Sequence, residues 1–249
     1  MLGSDRTPEG INCQKPQAPT EGDFEAEPDV DWVGRLRQFI EKREFPCVGA
    51  KAVLNRDWLG AYVARDLESA WDDLKIHDRL LEWAYDYRDN PTGLRSFAVI
   101  FAARKNFDER QFEALMWERL QSLADKDHWR GQKLDASVSA DPQDPHFSLS
   151  FGGQAFFVVG LHPCASRKAR RFDRPTLIFN LHDQFERLRE EGRYETMRRS
   201  ILARDEAYSG SINPMLARHG DASEARQYSG RVVDEDWSCP FSDPRTESK

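Results

Sequence analysis

The chain has 249 residues, of which 39% are hydrophobic and 32% charged, enough apolar material for one sizeable core, and it reads as one domain. Its longest apolar runs, Phe97–Ala103 and Ala155–Leu161, fall far short of the roughly 20 residues that span a bilayer, which argues against a membrane protein. The formal net charge is −7, yet residues 1–31 alone carry eight acids and two bases, so the remaining body is close to neutral and lacks the basic footprint that nucleic-acid binding needs.

The opening MLGSDRTPEG has no basic patch followed by an apolar stretch, so it is not a secretory signal and a cytoplasmic location is expected. Residues 1–30 hold four prolines and many acids, too little apolar surface to offset the entropy of ordering, and read as a disordered leader. From Asp31, the spacing of Trp32, Val33, Leu36, Phe39 and Ile40 predicts a helix that closes before Pro46. Leu67, Trp71, Leu74 and Leu81 predict a second helix over 67–83, and Asp89–Gly93 a turn.

Ser96–Ala103 is a compact apolar run that suits a strand buried on both faces. Asp108 can cap the next element, an amphipathic helix marked by Phe112, Leu115, Met116, Leu120 and Leu123. After the Pro-bounded break at 141–145, Phe147–Phe151 alternates with period two and Gly152-Gly153 joins it to Ala155–Leu161, a β-hairpin. Thr176–Leu181 reads as a further strand, and 184–190 and 194–204 as helices split by Gly192. Beyond Tyr208 the chain is irregular but keeps the aromatic anchors Tyr228, Trp237 and Phe241. The expected architecture is a single α+β domain over 31–242, a mostly antiparallel sheet covered by helices on one side, with a disordered tail at 243–249.

No GxGxxG or GxxxxGK[ST] loop, HExxH helix or GxSxG elbow is present. The four cysteines, Cys13, Cys47, Cys164 and Cys239, are widely spaced without a CxxC pair, which indicates neither a disulfide framework nor a zinc knuckle. His162, in Gly160-Leu-His-Pro163 at a strand end, suits a metal or haem ligand, against the plainer alternative of a histidine hydrogen-bonded to a loop. Arg167, Lys168, Arg170, Arg171 and Arg174 follow with one acid, Asp173, and could receive ligand carboxylates, against the alternative of a solvated basic loop. Cys47, after Phe45-Pro46, is a candidate iron ligand or nucleophile, or a buried small hydrophobe. A metal site from His162, His182 and Asp183 matches no specific ligand spacing. In Ser223–Arg231, Glu224 could anchor a cationic group beside Arg226, or the segment could be a hydrogen-bonded corner.

The strings Phe45-Pro-Cys47, Gly160-Leu-His-Pro163 with Arg167 and Arg170-Arg171, Leu177-Ile-Phe-Asn180, Gly210–Met215, Ser223–Arg231 and Trp237-Ser-Cys-Pro-Phe241 together resemble the YqcI/YcgG family over about residues 32–241. The resemblance implies a haem-dependent N-oxygenase acting on a guanidine or amine nitrogen of an amino-acid-derived small molecule, since characterised members look like enzymes that hydroxylate guanidine nitrogens, in cycloserine-type and guanitoxin biosynthesis. It implies haem iron as cofactor, His162 as the first choice of axial ligand with Cys47 as its rival, and Arg170 and Arg171 as propionate partners. Glu224 becomes the natural clamp for a guanidinium. No flavin or nicotinamide fingerprint is present, so electrons are expected from an external reductase. A haem-binding sensor or carrier without turnover is the competing expectation.

Overall fold

The computed structural model describes residues 30–211, 213 and 220–246; all but Val30 of the expected leader lies outside the described residues. Five strands form one mixed sheet: β1 (Leu59–Ala64), β2 (Ser96–Phe101), β3 (Leu149–Phe151), β4 (Gln154–Leu161) and β5 (Thr176–Leu181), in the order β1-β2-β5-β4-β3. Only β1 and β2 run parallel; the other pairs are antiparallel. Among the described residues seven α-helices accompany them: α1 (Trp32–Glu41), α2 (Val48–Asn55), α3 (Asp73–Asp89), α4 (Glu109–Trp129), α5 (His182–Glu190), α6 (Tyr194–Ser209) and α7 (Ala225–Tyr228). The α+β class and the mostly antiparallel sheet match the reading of the sequence.

The helices cover both faces rather than one. Successive strand residues point to opposite faces, and both faces of β2 are buried along its whole length. Phe97, Val99 and Phe101 join Phe156, Val158 and Phe179 in one core beneath α3, α4 and α7, whereas Ala98 and Ile100 join Leu161 in a second beneath α1 and α2. Asp108 caps α4 in a full capping box with Gln111, which satisfies first-turn N–H groups that helical bonding leaves unpaired. The buried stripe Phe112, Met116, Leu120 and Leu123 then lies against the sheet.

Two stretches differ from the reading of the sequence. Residues 48–64, left without an element, form α2 and β1. The α2 sequence VGAKAVLN is short and buries only Val53 and Leu54, and β1 is an edge strand without clean alternation, so neither carries a strong periodic signal. The second helix starts at Asp73, not Leu67, and its buried stripe is Ile76, Leu80, Ala84 and Tyr87, leaving Trp71 77% exposed.

The expected disordered tail is, over 243–246, part of the body. Arg245 donates to Asp127 at 2.6 Å, to Asp243 at 2.7 Å and to the Ser150 carbonyl at 2.8 Å. Asp127 is fully buried and also meets His77 Nε2 at 2.8 Å. Among the described residues no helix is long and apolar enough to cross a membrane.

Candidate functional site

Between the second face of the sheet and helices α1, α2 and α6 lies a cavity of about 300 Å3, at the lower end of the range for small-molecule sites. Val159, Leu161 and Ile178 of β4 and β5 form an apolar wall with Val53 and Leu54 of α2. The polar wall is made by Ser96, Asn180, His182, Gln184, Glu224 and Gln227, and Cys47 also lines the space.

Cys47 is placed by the helix that escaped the sequence reading. It is the N-cap of α2, and its thiol accepts the Ala50 N–H at 3.4 Å. Burial pushes the thiol pKa above its ordinary value, while the Ala50 and Gly49 N–H groups and the charge of Arg170 act against that rise. The group is therefore a neutral thiol in a setting able to receive it as a thiolate once a cation binds it. Cys47 and Cys239 carry free thiols, whereas Cys164 is engaged in a disulfide, which corrects the expectation drawn from spacing.

Glu224 lies on the cavity wall and is 6% exposed. The Ser148 hydroxyl donates to its Oε2 at 2.7 Å, and His182 Nε2 stands 3.9 Å from its Oε1. The residues beside it in the chain do other work. Ser223 donates to the Pro142 carbonyl at 2.7 Å, and Tyr228 to the Phe156 carbonyl at 3.1 Å. Arg226 turns away, donating to the carbonyls of Trp237 and Asp234, and it is not on the cavity wall.

The basic run separates into three roles. Arg170 lines the cavity and donates to the carbonyls of Gly160 at 3.0 Å, Tyr228 at 2.9 Å and Gln227 at 3.0 Å. These bonds tie α7 to the end of β4, so Arg170 is a brace more than a carboxylate receptor. Burial lowers its pKa to about 10, opposed by Asp205 and Cys47, and it remains a cation at neutral pH. Gly160 makes this join possible, because a Cβ there would come within 2.6 Å of Phe112 and 3.1 Å of the Tyr228 carbonyl. Arg167 also lines the cavity, paired with buried Asp205 and donating to the Ser211 carbonyl at 2.8 Å. Arg171 closes its own loop through the carbonyls of Ala165 and Ser166 and is not on the wall.

His162 does not join the others. Leu161 faces the cavity, so the next residue faces the opposite core, and there the imidazole stacks on Phe112 with centroids 4.4 Å apart. It is 1% exposed. Burial lowers its pKa to about 4, with Arg170 adding to the drop and Glu109, Asp108 and the Phe107 backbone opposing it. Asp183 accepts from the Tyr87 hydroxyl at 2.7 Å, and among the described residues no group of three or more His, Cys, Asp or Glu is placed to hold a metal ion.

The sequence reading missed Ser96, Asn180, Gln184 and Gln227 as wall residues. The available signal was a polar residue inside an apolar strand: Asn180 interrupts Thr176–Leu181, and its Oδ1 accepts from Ser96 Oγ at 2.7 Å. Gln184 is committed to the backbone of Arg95, accepting its N–H at 2.7 Å and donating to its carbonyl at 3.0 Å. The Gly210–Met215 string falls partly outside the described residues.

Comparison with known proteins gives no match among curated proteins and none among solved structures. The model of the YqcI/YcgG family matches residues 36–242, a span that takes in the sheet and every cavity-lining residue described above, and the chain belongs to that family.

Proposed function

We propose that the protein is a haem-dependent N-oxygenase that hydroxylates a guanidine nitrogen of an amino-acid-derived small molecule, with O2 and electrons from an external reductase. The observation that carries the reading is the meeting, on one largely apolar cavity, of a cysteine thiol at a helix N-cap and a buried carboxylate, Cys47 and Glu224. The kinds of residue on the wall suit a haem, and the cavity of about 300 Å3 would have to widen to admit the macrocycle. A thiolate is an established axial ligand class, the apolar wall suits a macrocycle, and the wall also carries Arg198 and Arg189, the latter paired with Glu186. Cys47 is the residue that would hold the iron; His162 is on the wrong face of the sheet.

Bound haem would supply O2 activation, the step that no side chain here can perform. The chain's own residues do the rest. Glu224 offers a negative charge to a guanidinium that leaves water for a cavity where an uncompensated cation is unfavourable. Ser148 holds one oxygen of that carboxylate, and Arg170 fixes the backbone of the helix that follows it. Val159, Leu161 and Ile178 exclude water from the space.

The test is the absorption spectrum of the haem-supplemented full-length chain, followed by turnover of guanidine compounds with O2 and a reductant. Cys47→Ser is expected to abolish or strongly shift the Soret band, and His162→Leu to leave it in place. The reverse pattern would overturn the ligand assignment. A haem-loaded protein that hydroxylates no guanidine compound would reduce the reading to a carrier.

A further inference from the structure

Gln227 is 6% exposed, lines the cavity, and has no hydrogen-bond partner for its side-chain amide among the described residues. Its backbone is fully engaged: the N–H donates to the Glu224 carbonyl at 2.9 Å, and the carbonyl accepts from Arg170 at 3.0 Å. No side chain of the described residues satisfies this amide, and its polar atoms are open to whatever fills the cavity. Its position next to a cavity is explained when a ligand supplies the missing bonds.

The bond from the Gln227 N–H to the Glu224 carbonyl spans three residues, the spacing at which side chains come into line along a tight helical turn. Glu224 and Gln227 therefore share one face of this turn, and both belong to the cavity wall. They offer two kinds of acceptor side by side, a carboxylate and an amide oxygen. A guanidinium is planar, with N–H groups directed along adjacent edges, so one edge can meet the carboxylate while the next meets the amide. An ammonium gathers its donors on a single atom and satisfies its charge at the carboxylate alone.

We propose that Gln227 is the specificity-determining residue of this cavity, selecting planar, forked cations of the guanidinium class over simple ammonium ions of the same charge. The inference rests on the reading that Glu224 receives the substrate's cationic group. Arg170 pins the Gln227 carbonyl whatever side chain position 227 carries, so substitution there removes the acceptor without releasing the helix.

The experiment is calorimetric titration of the full-length chain with methylguanidinium and, separately, methylammonium, repeated for Gln227→Met, Gln227→Glu and Glu224→Gln. Gln227→Met is expected to weaken methylguanidinium about tenfold or more, the effect of one hydrogen bond to a charged donor, with methylammonium changed by less than about twofold. Gln227→Glu, which keeps an acceptor at that place, is expected to preserve the preference for methylguanidinium. An unchanged preference in Gln227→Met overturns the inference while leaving the Glu224 reading intact. Binding that Glu224→Gln does not weaken overturns both.

Discussion

His162 gives the sharpest quantitative expectation. Its imidazole is packed on Phe112, and its pKa falls from the ordinary 6.5 to about 4, chiefly through burial. Between those two values the unfolded chain binds a proton that the folded chain refuses, so stability falls as the solution is acidified through that window and is fully present above it. At about 1.4 kcal/mol per pH unit, the group alone removes about 3 kcal/mol between pH 6.5 and 4. The assay is urea unfolding at a series of pH values for the parent chain and for His162→Leu. The variant starts less stable by a constant amount, through lost packing and the lost Phe107 contact, but the gap between the two chains narrows by about 3 kcal/mol on going to pH 4. Two stability curves that stay parallel would refute the reasoning and show that the folded protein accommodates the imidazolium.

Two further outcomes follow from other buried charges. Glu224→Gln is expected to keep the fold and lose methylguanidinium binding by about 2–5 kcal/mol, the cost of truncating one partner of a buried charge pair; an unchanged titration would remove Glu224 from the cation site. Arg245→Ala is expected to destabilise the chain by about 3–5 kcal/mol, because Asp127 loses a charged partner in a fully buried place. A melting temperature unaltered by Arg245→Ala would restore the picture of 243–249 as a loose tail.

The elements legible in the sequence were those with strong period: the all-buried run of β2, the hairpin of β3 and β4, and the capped stripe of α4. Cys47 was visible as a candidate but not as a helix cap, because the helix it begins is eight residues long and has only two buried positions. Glu224 was found for its charge among local neighbours, yet the hydroxyl that holds it, Ser148, is 76 residues away in sequence. Pairings of that range are set by sheet register, which a single sequence states only weakly. The arginines show the same limit from the other side. A run of bases looks like an anion receptor, but Arg170 spends its donors on three backbone carbonyls brought together only by the fold.

The contest between His162 and Cys47 turns on one residue of strand parity. Leu161 pairs with Thr176, Val159 with Ile178 and Phe157 with Asn180, and paired residues share a face, so the odd positions of β4 and the even positions of β5 look into the cavity. Position 162 continues the alternation onto the other face, where Gly160 and Val158 already pack toward Phe112 and the α4 core. A slip of one residue would exchange the two faces and bury Asn180 among the phenylalanines of the first core, which the apolar partners there exclude. The same register that builds the core thus denies His162 access to the cavity, and of the two candidates only the thiol at the head of α2 stands on its wall.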